Sequence, residues 1–214
     1  SVAMEKIIKY FRSHGGYARM KELKKASFQT RDIAHLLQEG TIVKVKPGLY
    51  RLANVLDVVL PAITMHATSY TISVGIMDVC RAIPEGVICL ASALEFYGLT
   101  TFNPSEIYVA IPNASKKPKI DYPPVKIFYF RDRFYQAGIE KIRAGDVTVN
   151  IYNREKTICD VFRYRNKIGE DIALEGLKNY MLRRDANINK LREYAEICRV
   201  KTIMIPYLKA LIKQ

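Results

Sequence analysis

Residues 4–51 constrain the fold of this chain more than any other segment. Two amphipathic stretches come first, and in the first of them Ile7 and Phe11 can share one apolar face while charged side chains cover the opposite face. A third apolar stripe follows, and then residues 41–52 form two short alternating runs around a Pro-Gly turn. Three helices followed by a basic β-hairpin is the element order of a winged helix-turn-helix. We therefore predict such a domain over residues 4–53.

The third helix of this pattern, over about residues 29–39, is the candidate recognition helix. Its apolar residues Ile33, Leu36 and Leu37 fall on one face, so its polar side chains near the N-terminus point outward. In a helix-turn-helix these positions reach base edges in the major groove, where Arg pairs with guanine and Gln with adenine. We predict base contacts by Gln29, Thr30, Arg31 and His35.

Basic side chains flank this helix in the sequence on both sides. They suit contacts to phosphates, which position a protein on DNA without reading its sequence. We predict phosphate contacts by Lys21, Lys24, Lys25, Lys44, Lys46 and Arg51. The recognition helix itself carries a single arginine beside Asp32 and Glu39, so its own field is weak. Sequence-specific binding is therefore expected to involve self-association on repeated half-sites.

The charge of the chain agrees with a nucleic-acid partner. Lys and Arg number 34 against 21 Asp and Glu, which gives a net charge of +13. Positions 1–60 hold 11 of these basic residues and 5 of the acidic ones, so the first segment is the more basic per residue. Such a surface attracts polyanions independently of their sequence. Double-stranded DNA is the partner that the charge favours.

The remainder of the chain predicts a larger α+β domain over residues 61–214. Alternating runs at 106–111 and 125–130 are typical of strands, and a basic, proline-rich loop joins them. Residues 139–143 and 147–152 predict a hairpin, and Asn153 predicts the cap of a helix from Arg154. Further helices are expected at 90–98, 172–182, 188–198 and 202–213, the last with Pro206 in its first turn. The fold class is thus a winged helix-turn-helix followed by a small sheet and a helical C-terminal part. Residues 54–68 are expected to form a helix and a link.

The search for catalytic or metal-binding patterns finds none. The three histidines are isolated from one another and from carboxylates at ligand spacing, and no phosphate-cradling glycine loop is present. Glu155 and Asp160 lie five apart, which does not place them on one helix face. Glu155 is better explained as a first-turn carboxylate and Asp160 as a partner for a nearby Lys or Arg. We expect no enzyme activity, no cofactor and no metal.

The cysteines and the uncharged segment bear on the compartment. The 4 cysteines are widely separated and form no CxxC pair, so we expect reduced thiols in the cytoplasm. Residues 58–77 carry no charge but include Pro61, His66 and several hydroxyl side chains. That run is too polar for hydrocarbon, and no membrane association is expected.

Several stretches, in this order along the chain, resemble the AbiEi antitoxin family of bacterial abortive-infection systems. Those similar to its N-terminal winged-helix domain are His14-Gly15-Gly16-Tyr17, Ser27-Phe28-Gln29-Thr30-Arg31, and Gly40 followed by Ile42-Val43-Lys44-Val45-Lys46-Pro47-Gly48-Leu49-Tyr50. Those similar to its second domain are Ala91-Ser92-Ala93-Leu94, Tyr97-Gly98-Leu99-Thr100, residues 106–112 and 154–160, Phe162-Arg163-Tyr164-Arg165 and Ala173-Leu174-Glu175. Residues 54–85 contain no matching motif.

The resemblance implies two activities. The winged helix would bind operator DNA and repress the toxin–antitoxin operon, with contacts carried over to Gln29, Thr30, Arg31, Lys44 and Lys46. The second domain would oppose a nucleotidyltransferase-like toxin encoded beside it, directly or indirectly. The alternative is a winged-helix regulator that responds to a ligand and has no toxin partner, which would need a pocket with convergent polar groups.

Overall fold

The computed structural model describes residues 1–59, 70, 72–144 and 146–213. The chain forms two compact units, and both contain helices and strands, which confirms the mixed α+β class. The first unit comprises Ser1–Pro84, Lys117–Pro124 and Ile142–Val149, and the second comprises Glu85–Lys116, Val125–Lys141 and Asn150–Gln214. The first unit thus contains the predicted domain 4–53 together with further segments. The division of the chain into functional domains at residues 53 and 61 stays a prediction.

Three helices open the first unit: α1 (Val2–Ser13), α2 (Met20–Lys25) and α3 (Thr30–Gln38). Their apolar stripes meet in one core, because residues three or four apart on a helix share a face. The fully buried members of this core are Ile7, Phe11, Ala18, Leu23, Ile33, Leu36, Ile42 and Leu52. The predicted helices are confirmed, and Ile33 and Leu36 of α3 face the core, whereas Leu37, which was expected on the same face, is 37% exposed.

A three-stranded antiparallel sheet packs with these helices. Its strands are β1 (Tyr17–Arg19), β2 (Ile42–Lys46) and β3 (Leu49–Leu52), in the order β1-β3-β2. Tyr17 pairs with Arg51 on one side of β3, and Ile42 pairs with Leu52 on the other. The hairpin of β2 and β3 is the wing of a winged helix, and it lies where the sequence predicted it.

Gly16 has a backbone conformation and a packing environment that only glycine fits. Its φ is +87°, and a Cβ built on it would lie 2.5 Å from Val55 Cγ2. Its carbonyl accepts a hydrogen bond from the Leu52 N–H at 2.9 Å, so the backbone cannot easily shift away. We expect Gly16→Ala to lower the free energy of unfolding by about 1–3 kcal/mol. Urea denaturation would measure this, and a loss no larger than that of Gly40→Ala, where a Cβ meets nothing within 4 Å, would contradict it.

The first unit continues beyond the wing. Residues 55–59 are helical, which agrees with the helix predicted from 54, whereas residues 60–68 of that prediction lie outside the described residues. Helix α4 (Val74–Ala82) follows, and the Ser73 side chain caps it by accepting from the Ile76 N–H. The sequence did not predict α4. It supplies Asp78, which is 2% exposed and partners residues of the sheet.

The second sheet has five strands in the order β6-β5-β4-β8-β7. These are β4 (Val87–Ile88), β5 (Ile107–Pro112), β6 (Val125–Phe130), β7 (Ile139–Ala144) and β8 (Val147–Tyr152). Strand β4 runs antiparallel to β5 and parallel to β8, and β5 runs parallel to β6. The predicted strands are confirmed. The central strand β4 was missed because two residues are too few to show an alternating pattern.

Helices complete the second unit. They are α5 (Leu90–Phe96), α6 (Asp132–Gln136), α7 (Arg154–Arg163), α8 (Arg165–Ile168), α9 (Glu170–Met181), α10 (Ile188–Ile197) and α11 (Lys201–Ile212). The Asn153 side chain caps α7 by accepting from the Lys156 N–H at 2.7 Å, as predicted. Pro206 lies inside α11 rather than in its first turn, because that helix begins at Lys201.

A buried ionic cluster anchors α7 in the second unit. Lys156 and Asp160 are both 0% exposed, and Lys156 Nζ lies 2.7 Å from Asp160 Oδ2. Arg163 donates to the other carboxylate oxygen at 3.0 Å. The Lys156 ammonium also donates to the Phe134 carbonyl at 2.6 Å and lies 3.9 Å from the centre of the Tyr152 ring. The prediction that Asp160 partners a nearby Lys or Arg is confirmed.

Three further features follow from the described residues. The cysteines are free thiols, and Cys89, Cys159 and Cys198 are buried. None of the helices in the described part of the chain has the length and apolar character needed to cross a bilayer. In the same part, His, Cys, Asp and Glu side chains do not gather in groups of three or more that could hold a metal ion.

Candidate nucleic-acid interface

The outward face of α3 is polar and open. Arg31, Ala34, His35 and Gln38 follow the spacing of one helix face and are all exposed, while Ile33 and Leu36 are buried on the other. Ala34 in the middle of the outward face carries only a methyl group, so this helix can approach another surface closely. The spacing from Arg31 could have indicated Gln38 from the sequence, but our prediction stopped at His35.

The predicted base-contacting residues gather at the N-terminal half of α3. Gln29 is the N-cap residue, its side chain makes no capping hydrogen bond, and Thr30 begins the helix. The Arg31 side chain is 86% exposed, and its nearest carboxylate is Asp32 at 3.8 Å. His35 differs from these, because its Nε2 lies 2.7 Å from Glu39 Oε1. Three of the four side chains are thus held by no short contact of their own.

The lysines of α2 are fully available. Lys21, Lys24 and Lys25 are exposed, and no carboxylate of the described residues lies within ion-pair distance of them. On the wing, Lys44 Nζ lies 3.6 Å from Asp121 Oδ2, and both side chains are about half exposed. A pair of this kind contributes little to stability and exchanges readily for another anion. The phosphate contacts of these lysines stay a prediction.

The Lys46 side chain makes a hydrogen bond within the protein. Its Nζ donates to the Ala82 carbonyl at 2.6 Å, at the end of α4. Burial, and then the positive charge of Arg19, lower the pKa of Lys46 from its ordinary value. One of the three ammonium N–H groups of Lys46 is thus used within the protein, and the phosphate contact at Lys46 stays a prediction.

Arg51 is likewise removed from the surface. Its side chain is 14% exposed, and its Nε donates to Asp78 Oδ1 at 2.8 Å. The same carboxylate oxygen accepts from the Tyr17 hydroxyl at 2.6 Å, and burial raises the pKa of Tyr17 above its ordinary value. Arg51 thus joins β3 to α4, and its phosphate contact stays a prediction. No pattern in the sequence indicated this pairing, because Asp78 lies in a segment with no recognisable motif.

Three helices, a three-stranded sheet and a basic wing define the N-terminal part as a winged helix-turn-helix, a class of domain whose members commonly place one helix in the major groove of DNA. Comparison with protein-family models matches residues 5–53 to the AbiEi antitoxin family, which is described as a transcriptional regulator. The resemblance seen in the sequence is thereby confirmed for those residues. A search of the curated proteins found no match. The likeness of the later segments to the second domain of that family stays a prediction.

Proposed function

We propose that the protein is an autoregulating antitoxin that binds the operator of its own toxin–antitoxin operon through α3. The observation that carries this proposal is the outward face of α3, where Arg31 projects from the first turn of the helix with 86% of its side chain exposed. Guanidinium groups at such positions pair with guanine through two hydrogen bonds. Gln29 and Thr30 beside it supply the complementary polar groups for a neighbouring base pair or phosphate.

Residues suited to phosphate contacts lie on the elements next to α3 in the chain. Lys21, Lys24 and Lys25 on α2 and Lys44 on the wing provide positive charge that other residues do not bury. These contacts set the register of α3 in the groove and contribute affinity that falls with salt. Since α3 holds a single arginine with Asp32 and Glu39, two copies on paired half-sites would give the specificity that one copy lacks.

The DNA side of the proposal predicts different outcomes for Arg31 and Lys24. Arg31→Ala should cost about 1–3 kcal/mol of discrimination at one base-pair position, because a bidentate base contact is lost. Lys24→Ala should weaken operator and scrambled DNA alike and lower the salt slope by about one, because one phosphate contact is lost. Fluorescence anisotropy with operator, single-substituted operators and a scrambled duplex at several salt concentrations would measure both.

The matched control is Lys178→Ala, which removes one exposed positive charge from α9 in the second unit. It should leave the salt slope and the sequence preference unchanged if the winged helix carries DNA binding. If Arg31→Ala instead weakens every duplex equally, Arg31 is a phosphate contact. If operator and scrambled DNA bind alike before any substitution, the proposed autoregulation is wrong.

The antitoxin side can be tested separately from DNA binding. Co-expression of the full chain with a nucleotidyltransferase-like toxin from the adjacent gene should restore growth, and Arg31→Ala should restore it equally well from an unrelated promoter. Co-purification of the two proteins would identify direct neutralisation, and rescue without a complex would identify an indirect one. Growth that stays arrested would contradict the antitoxin assignment and favour the ligand-responsive regulator.

A further inference from the structure

A polar cavity of about 220 Å³ lies in the first unit, beside the wing. Its lining side chains come from α1, β1, α2, β3, α4 and the turn between β7 and β8. They are His14, Tyr17, Arg19, Glu22, Leu49, Arg81 and Asp146, with Ala18. The DNA-contact predictions use none of these residues.

Two cations of this cavity lack a carboxylate partner. No Asp or Glu of the described residues forms an ion pair with Arg19 or Arg81, although other arginines of the chain are paired. The Arg81 guanidinium lies 5.2 Å from the centre of the Tyr17 ring, and its Nε is buried without a hydrogen-bond partner. A buried donor with no acceptor is uncommon in folded proteins, and an unmade hydrogen bond of this kind costs free energy. An anion beside the guanidinium would offset that cost.

The other polar groups of the lining are partly committed. The Tyr17 hydroxyl donates to Asp78, and Glu22 Oε1 accepts from the Arg19 N–H at 3.3 Å. His14 Nδ1 lies 2.7 Å from the Tyr10 carbonyl oxygen. Glu22 and Asp146 would repel an anion in this cavity, whereas Arg19 and Arg81 would attract it. The positive charge of Arg19 also contributes, after burial, to lowering the pKa of Lys46 on the wing.

We infer that this cavity binds a phosphate group. Guanidinium ions hold phosphate oxygens through paired, charge-assisted hydrogen bonds, and a phosphate has enough oxygens to serve two arginines together. Two sources share this chemistry: a backbone phosphate of bound DNA and a free phosphorylated small molecule. The first source rests on the DNA binding proposed above, and the second does not.

The position of the cavity connects it to the wing. The Met20 N–H, at the start of α2, donates to the Gly48 carbonyl in the wing turn at 2.8 Å. Leu49, which lines the cavity, begins β3 directly after that turn. A group held between Arg19 and Arg81 therefore sits against the two elements that a winged helix brings to the DNA backbone. A phosphate from either source would therefore change the contacts of the wing.

The first test uses no DNA. Calorimetric titration of the full chain with inorganic phosphate, at ionic strength matched with chloride, should show binding that Arg81→Gln weakens by about tenfold or more. Asp146→Asn should strengthen it, because a repelling charge is removed. Arg19→Gln provides a second variant if Arg81→Gln unfolds, as judged by circular dichroism. If all three substitutions leave phosphate binding to the folded protein unchanged, the phosphate binds at another site and the inference is wrong.

The second test separates the two sources by anisotropy with operator DNA. If DNA supplies the phosphate, Arg81→Gln should weaken the binding of all duplexes alike and lower the salt slope by about one, besides weakening the binding of inorganic phosphate. If a free molecule supplies it, Arg81→Gln should leave DNA affinity unchanged, and phosphate should alter the affinity of the parent protein but not of the variant. The inference is overturned if Arg81→Gln, folded, changes neither phosphate binding nor DNA binding. Failure of the proposed function is distinguishable, because it would remove the effect of Arg31→Ala and leave the calorimetric result intact.

Discussion

Asp160→Ala is expected to lower the free energy of unfolding by about 3–5 kcal/mol, the range measured when one partner of a buried ion pair is removed. The Lys156 ammonium is 0% exposed and would keep only the Phe134 carbonyl and the neighbouring rings as partners. Arg163 would lose its acceptor as well, and the Cys198 thiol, 3.5 Å from the same carboxylate, would lose its own. The protein should then unfold at a much lower urea concentration.

Chemical denaturation of the parent, the single variant and a double variant would measure this effect. Adding Lys156→Met to Asp160→Ala should recover part of the loss, because the uncompensated buried charge disappears. The control is Glu196→Ala, which breaks an exposed ion pair with Lys201 and should leave stability unchanged within error. If Asp160→Ala were as mild as that control, the cluster would not be a dry ion pair, and our account of α7 would be wrong.

Asp78→Ala is expected to destabilise the first unit by about 2–4 kcal/mol, a little less than Asp160→Ala because Arg51 keeps some access to water. The change leaves two donors without their acceptor, the Tyr17 hydroxyl and the Arg51 guanidinium. Burial is the main cause that raises the pKa of Asp78, so the carboxylate depends on these two donors to remain charged. Thermal unfolding followed by circular dichroism would report the loss.

Asp121→Ala is the matched control for that measurement. Asp121 also pairs with a cation of the winged helix, Lys44, but both side chains are about half exposed. Its loss should cost no more than about 1 kcal/mol. Equal effects of the two substitutions would contradict the role we assign to burial. Restoration of stability by Arg51→Leu in the Asp78→Ala background would identify the stranded guanidinium as the source of the loss.

Much of the fold could be predicted because its patterns are local. Ile7 and Phe11 mark the inner face of α1 by spacing alone, and the Pro-Gly turn marks the wing. Asn153 allowed the start of α7 to be predicted, because a capping side chain bonds to backbone groups within one turn. The sequence analysis missed α4, α6, α8 and β4. Of these, β4 is only two residues long, and α4 has no motif that the resemblance covered.

The candidate interface was predictable only in part, for the same reason. Outward positions on α2 and α3 follow from helical periodicity, and the structure leaves Gln29, Thr30, Arg31 and the α2 lysines exposed. Arg51 and Lys46 look identical to them in the sequence, since both are basic residues near the wing. Their partners, Asp78 and the Ala82 carbonyl, lie on a helix about thirty residues further along the chain.

The sequence by itself determined the winged helix-turn-helix, the similarity of residues 5–53 to the AbiEi antitoxin family and the basic character of the chain, because periodicity, turn residues and charge are properties of neighbouring residues. Only the tertiary structure decided which cations remain available and which are consumed in pairs, because pairing depends on distances between segments far apart in the chain. It also placed Arg19 and Arg81 in one cavity, where neither forms an ion pair with an Asp or Glu of the described residues. The strength of a charge at the surface is set by its neighbours in space, and those neighbours are fixed only once the chain has folded.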